Sequence, residues 1–150
     1  MLSKKARYAM KALLHLAKVY PGGPVLIADL AQKEKIPKKF LELILLDLKH
    51  RGLLQSKKGK GGGYSLAKPP GEITLGPIIR MFEGPLALVP CASVTAYRKC
   101  DDCDDEASCG IRLVMKDVRD ATAAILDGTT IADVLERIEK TRSGAPETWM

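Results

Sequence analysis

Four cysteines stand close together in this chain: Cys91, Cys100, Cys103 and Cys109. Eight residues separate the first two, two separate the middle pair, and five separate the last pair. Thiolates are soft ligands that suit zinc, copper(I) or iron–sulfur clusters. Four of them can close a tetrahedral zinc site or hold a cluster. The same thiols without a metal stay reduced or cycle through disulfides. Cys100-x-x-Cys103 lacks the second Cys-x-x-Cys of a zinc ribbon, so spacing alone leaves cluster, zinc and bare thiols open. Asp101, Asp102, Asp104, Asp105 and Glu106 lie among the sulfurs and read as a solvated loop rather than a hard-cation site. Their charge opposes further negative charge on the thiolates. His15 and His50 lie far from the cysteines, within helical patterns, and read as packed or surface side chains. No nucleophilic triad, phosphate-binding loop or pair of catalytic carboxylates stands out, so an enzyme is not expected.

The elements that must position these thiols divide by charge. The chain has 150 residues and a formal net charge of +6. Residues 1–84 carry 16 Lys or Arg against 6 Asp or Glu, a balance of +10. Residues 85–150 carry 8 against 12, a balance of −4, and hold every cysteine. A basic half points to a polyanion, and an acidic half joined to it points to a second task. At 46% hydrophobic residues the composition supports a packed core. No apolar run reaches the length of a membrane span, and the N-terminus lacks a secretory pattern. The expected compartment is the cytoplasm, where structural disulfides are rare.

Periodicity predicts a helix over residues 4–20, with Ala9, Leu13, Leu16 and Ala17 on its apolar face. A short helix over 27–34 follows, then a break at Lys35-Ile36-Pro37 and a third helix over about 37–51. Pro37 suits the first turn of that helix, and Phe40, Leu41, Ile44, Leu45 and Leu48 are its expected core side. Two helices joined by so short a turn read as a helix-turn-helix. Two strand candidates, LLQS and YSLA, then flank KKGKGGG, which reads as a β-hairpin wing. The expected fold is mainly α with a small β-wing. It is a winged helix-turn-helix domain over 1–84, with a further helix from about Thr74 to 83. A cysteine-containing loop over 85–108 follows, then a unit over 109–140 with a long helix and a last, capped helix, and a flexible tail over 141–150. In the long helix Ile111, Val114, Val118, Ala121 and Ile125 recur at steps of three and four, a coiled-coil-like seam.

This order assigns the DNA-facing residues. Lys57, Lys58 and Lys60 could be a solvated turn, but a lysine loop directly after a helix-turn-helix is placed to displace counterions from phosphate. Gly61 and Gly62 let the backbone approach a duplex closely. Lys38 and Lys39, at the start of the third helix, suit phosphate or base-edge contact. Glu42, one turn on, could accept from a cytosine amino group, or simply face solvent.

The phrases ARYAMKALLHLA, FLELILLDLKHRGLL and KGKGGGYSLAKPPGEITLGPIIRMFEG resemble the family of winged-helix bacterial regulators that includes IscR, NsrR and CymR. The likeness runs over roughly residues 1–140, and GGGYSLAKPPGEIT is its most specific part. It implies a homodimer on a palindromic double-stranded operator, with the helix at 109–127 as the dimer interface. In cluster-binding members, three cysteines ahead of the long helix hold an iron–sulfur cluster. Cys91, Cys103 and Cys109 are the corresponding trio, the last two keeping the family's gap of five. The gap from Cys91 to Cys103 is longer here and contains the additional Cys100. Arg112 stands where some members place a histidine ligand.

The resulting expectation is a dimeric regulator, a repressor, that senses iron, redox state or a reactive gas through its cysteine loop. Zinc or a thiol–disulfide switch in place of the cluster is the nearer alternative. A cluster-carrier or redox protein docking an acidic partner through its basic half is the more distant one.

Overall fold

The computed structural model describes residues 1–144. Helix α1 (Lys4–Lys18) is followed by α2 (Ile27–Glu34) and α3 (Lys38–His50). Strands β1 (Leu54–Lys57) and β2 (Gly63–Leu66) form an antiparallel hairpin in the register Leu54↔Leu66 to Lys57↔Gly63. Helix α4 (Leu75–Glu83) leads through an irregular stretch to the long α5 (Gly110–Gly128) and then α6 (Ile131–Arg142).

Ser3 starts α1: its hydroxyl accepts the Ala6 N–H at 3.1 Å, satisfying a donor the first turn would leave free. The face expected from periodicity is buried, with Ala6 and Ala12 added to Ala9, Leu13, Leu16 and Ala17. Lys35 ends α2 in the left-handed region, φ 56°, and its turn delivers the chain to α3. Pro37 is the cap of α3 rather than its first residue. Leu41, Ile44, Leu45 and Leu48 are fully buried, while Phe40 is half-buried and meets Tyr8 edge-on at 5.6 Å.

The wing is stitched to the helices at its base. Val25 and Tyr64 exchange backbone hydrogen bonds of 2.8 and 2.9 Å. Gly63, at φ 144°, makes this approach: a Cβ there would overlap the Val25 carbonyl. Gly63→Ala is expected to destabilise the chain by at least the ~1–3 kcal/mol of a strained backbone, lowering the melting temperature measured by circular dichroism.

The last two helices part company. Ile131 of α6 is fully buried in the core with α1, α3 and α4. A bridge between Thr74 and Thr130, and the Ile131 N–H on the Ile73 carbonyl at 2.8 Å, fix α6 there. Thr130 opens α6 with a reciprocal capping box with Asp133. Thr74 sits at the cap position of α4 without a side-chain cap bond. By contrast, no residue of α5 is buried. Helix α6 runs through Arg142, past the expected start of a tail at 141; residues 145–150 lie outside the described residues.

Candidate cysteine site and nucleic-acid interface

Between α4 and α5, Pro90–Ala92 forms a single 3-10 turn that buries Cys91 and Ala92. Cys91 is 5% exposed, and its Sγ lies 3.7 Å from the Sγ of the half-buried Cys100. The Cys103 N–H donates to the Cys100 carbonyl at 3.3 Å, closing a tight turn. Cys109 caps α5, its carbonyl accepting the Leu113 N–H at 3.0 Å. The acidic stretch is folded onto this frame. Asp105 accepts from the Ser108 hydroxyl at 2.7 Å and the Ala107 N–H at 3.1 Å, while the Tyr97 hydroxyl donates to Glu106.

Contact with Cys91 raises the Cys100 thiol above its ordinary pKa, with desolvation and the Asp102 charge acting the same way. Burial raises Cys103, reinforced by Cys109 and Glu106. The negative charge that opposes ionisation of Cys100 and Cys103 would be offset by a bound cation. The Cys91–Cys100 separation of 3.7 Å is close to the edge of a sulfur tetrahedron around a metal with bonds of ~2.3 Å. The donor chemistry therefore fits a thiolate-bound metal or cluster. Among the described residues, no three Cys, His, Asp or Glu side chains converge on one metal-sized point. The structure brings Cys91 and Cys100 into contact, with Cys103 and Cys109 as their electrostatic neighbours.

Helix α5 grips this loop with two arginines. Arg112 Nε donates to the Cys91 carbonyl at 3.1 Å, and Arg119 Nη1 donates to the Ala92 carbonyl at 2.6 Å. At the far end of α5, Asp127 accepts two hydrogen bonds from Arg80 of α4, at 2.7 and 2.9 Å. Gly76 of α4 leaves room for that ion pair, since a Cβ would overlap the Asp127 carboxylate. Arg112, which stands where some family members place a histidine ligand, holds a loop carbonyl instead, and Arg119 lies seven residues on along the same stripe of α5.

The seam itself faces outward. Ile111, Val114, Val118, Ala121 and Ile125 are all exposed, Ile111 at 68% and Ile125 at 67%. On α3, Lys38, Lys39 and Glu42 are exposed. Leu43 and Leu46, which sequence reasoning passed over, are exposed beside them at 59% and 41%. Lys57 stands at the end of β1, with Lys58, Lys60 and Gly61 exposed in the wing loop. Gly62 is buried, and a Cβ there would overlap the Lys57 carbonyl; it closes the turn instead of presenting backbone to a duplex.

The order of helix-turn-helix, wing and long helix has its counterpart among known proteins. The sequence pattern of the Rrf2 family, described as an iron-dependent transcriptional regulator, matches residues 2–137. The chain belongs to the Rrf2 family. An rrf2-like helix-turn-helix transcriptional regulator of Rhodobacter capsulatus is 42% identical over 138 residues, covering 90% of this chain and 92% of the relative. The structure of CymR, the global cysteine regulator of Bacillus subtilis, superposes with a TM-score of 0.75 at 32% identity, covering 91% of this chain and 97% of CymR. IscR of T. potens superposes with a TM-score of 0.74 at 28% identity, covering 94% and 90%. As a member of the Rrf2 family, the chain is a DNA-binding transcriptional regulator with a winged-helix fold, and an enzyme reading is set aside. Among the described residues no helix is long and apolar enough to cross a membrane.

Proposed function

We propose that the chain acts in the cytoplasm as a homodimeric repressor on a palindromic operator, and that an iron–sulfur cluster in its cysteine loop sets its affinity for DNA. The observation that carries the control is the grip of α5 on the loop: Arg112 and Arg119 hold the carbonyls of Cys91 and Ala92. A change at the sulfurs is thereby passed to the helix proposed as the dimer interface.

Cys91, Cys103 and Cys109 would supply the thiolates, with Cys100 beside them. When bound, the cluster supplies a centre whose charge and integrity respond to iron supply and oxidants. The chain does the rest. The 3-10 turn shields Cys91 from water, Cys109 ties the loop to the first turn of α5, and Arg80–Asp127 pins the other end of that helix to α4. A shift at the loop end of α5 alters the relation between the two α3 helices, which must reach half-sites about one DNA turn apart, ~34 Å. On the duplex, Lys38, Lys39, Lys57, Lys58 and Lys60 face phosphate, Gly61 gives close backbone approach, and Glu42 with its exposed neighbours Leu43 and Leu46 faces base edges and thymine methyls.

Protein purified without oxygen is expected to show visible iron–sulfur absorption, with iron and acid-labile sulfide in matching amounts. Colourless protein that stays colourless after reconstitution with iron and sulfide contradicts the cluster. Stoichiometric zinc in such protein would assign the thiols to zinc instead.

A further inference from the structure

Cys91 of the ligand trio also touches the additional cysteine, Cys100, and with no metal between them the same closeness permits a second chemistry. The two lie nine positions apart, on opposite sides of a loop that packs back on itself. The Arg98 N–H donates to the Pro90 carbonyl at 3.2 Å, and the Ser93 hydroxyl accepts the Ala96 N–H at 2.9 Å. These bonds hold the Cys100 side of the loop against the Cys91 turn, with the sulfurs 3.7 Å apart. A disulfide needs ~2.05 Å between sulfurs, so the two must close by less than 2 Å to bond. Access is unequal. Cys91 is 5% exposed inside its turn, whereas Cys100 is half-exposed at the loop surface.

We propose that in the metal-free chain Cys91 and Cys100 form a dithiol that a hydroperoxide closes to a disulfide, with Cys100 the attacking sulfur and Cys91 the resolving one. The half-exposed Cys100 sulfur attacks the O–O bond, and its proton passes to the departing oxygen. A sulfenic acid forms on Cys100 and the other half of the peroxide leaves as an alcohol, or as water from hydrogen peroxide. The Cys91 sulfur then displaces the sulfenic oxygen, which departs as water with the Cys91 proton. The two thiols lose two electrons and two protons, and the peroxide takes up both. The bridge removes Cys91 from any ligand set. It also draws on the turn whose carbonyls Arg112 and Arg119 hold. The step requires no cluster, so the dithiol and the cluster reading stand or fall separately.

The sequence makes the pairing readable. Tryptic cleavage at Arg98 and Lys99 leaves Cys91 on one peptide and Cys100, Cys103 and Cys109 on the next. Full-length protein, stripped of metal by chelation, reduced and freed of reductant, is treated with hydrogen peroxide and mapped by mass spectrometry without reduction. The intact chain should become lighter by two hydrogens and the two peptides should be joined. Joining should persist in Cys103→Ser and Cys109→Ser and vanish in Cys100→Ser. In Cys91→Ser, or Cys91→Ala if the serine at that buried site unfolds the chain, Cys100 should accumulate as a sulfenic acid trapped by dimedone. Four free thiols after peroxide, a bridge inside the second peptide, or joined peptides in Cys100→Ser would each overturn the pairing. Trapped sulfenic acid on Cys91 in place of Cys100 would overturn the assigned order.

Discussion

Val114→Glu combined with Val118→Glu is expected to leave the protein folded and monomeric. Neither side chain is buried within one chain, at 56% and 36% exposed, and α5 as a whole contributes no buried residue to the core. The substitutions therefore remove no residue of the buried core, and glutamate is a better helix former than valine. In the proposed dimer these positions lie in the middle of the seam, where each buried valine gives ~1.5–3 kcal/mol. Four glutamates brought together by the two-fold would repel as well. The dimer dissociation constant should rise by roughly a thousandfold or more, equivalent to ~4 kcal/mol. Because the two half-sites are then bound independently, operator affinity should fall by at least about a hundredfold. Light scattering and gel-shift titration on the same preparation check both statements. A variant that remains dimeric would remove α5 as the interface.

Lys58→Ala with Lys60→Ala should weaken binding to every DNA sequence by a similar factor. Both lysines are exposed at the wing tip, and neither has an acidic partner among the ion pairs of the described residues. Each phosphate neutralised contributes a slope of about −0.9 to the dependence of log affinity on log salt. Two wings in the dimer carry four such lysines, so the double variant should flatten the slope by roughly three to four units. Near 0.1 M salt that corresponds to an affinity loss on the order of a thousand- to a ten-thousandfold. Glu42→Ala should behave differently. It should leave the slope nearly unchanged and relax preference at one base pair by about 1–3 kcal/mol. If both variants give the same change in slope and preference, the assignment of wing and recognition helix is wrong.

Local signals were enough for the winged helix. The α1 face, the short turn into α3 and the glycine-lysine hairpin each announce themselves within a few residues, and their order excludes most other folds. The seam of α5 was equally legible, because its steps of three and four are a one-dimensional pattern. What the sequence hid was non-local. Nothing in residues 129–142 says that Ile131 enters the core beside α1, since that depends on the bridge between Thr130 and the distant Thr74. Arg112 and Arg119 look like ordinary surface charges until the Cys91 turn is placed against them. The Cys91–Cys100 contact has no periodicity to betray it, and Gly61 and Gly62 differ in role only through the geometry of one turn.

Control of DNA binding by the state of the cysteine loop is tested most directly by selecting a palindrome from random DNA with anaerobically prepared protein, then measuring affinity at fixed salt before and after the cluster is removed. A change of at least tenfold is expected, carried by the specific site and absent on random DNA. Equal affinities for the selected palindrome, with the cluster shown spectroscopically to be present in one sample and gone from the other, would contradict it.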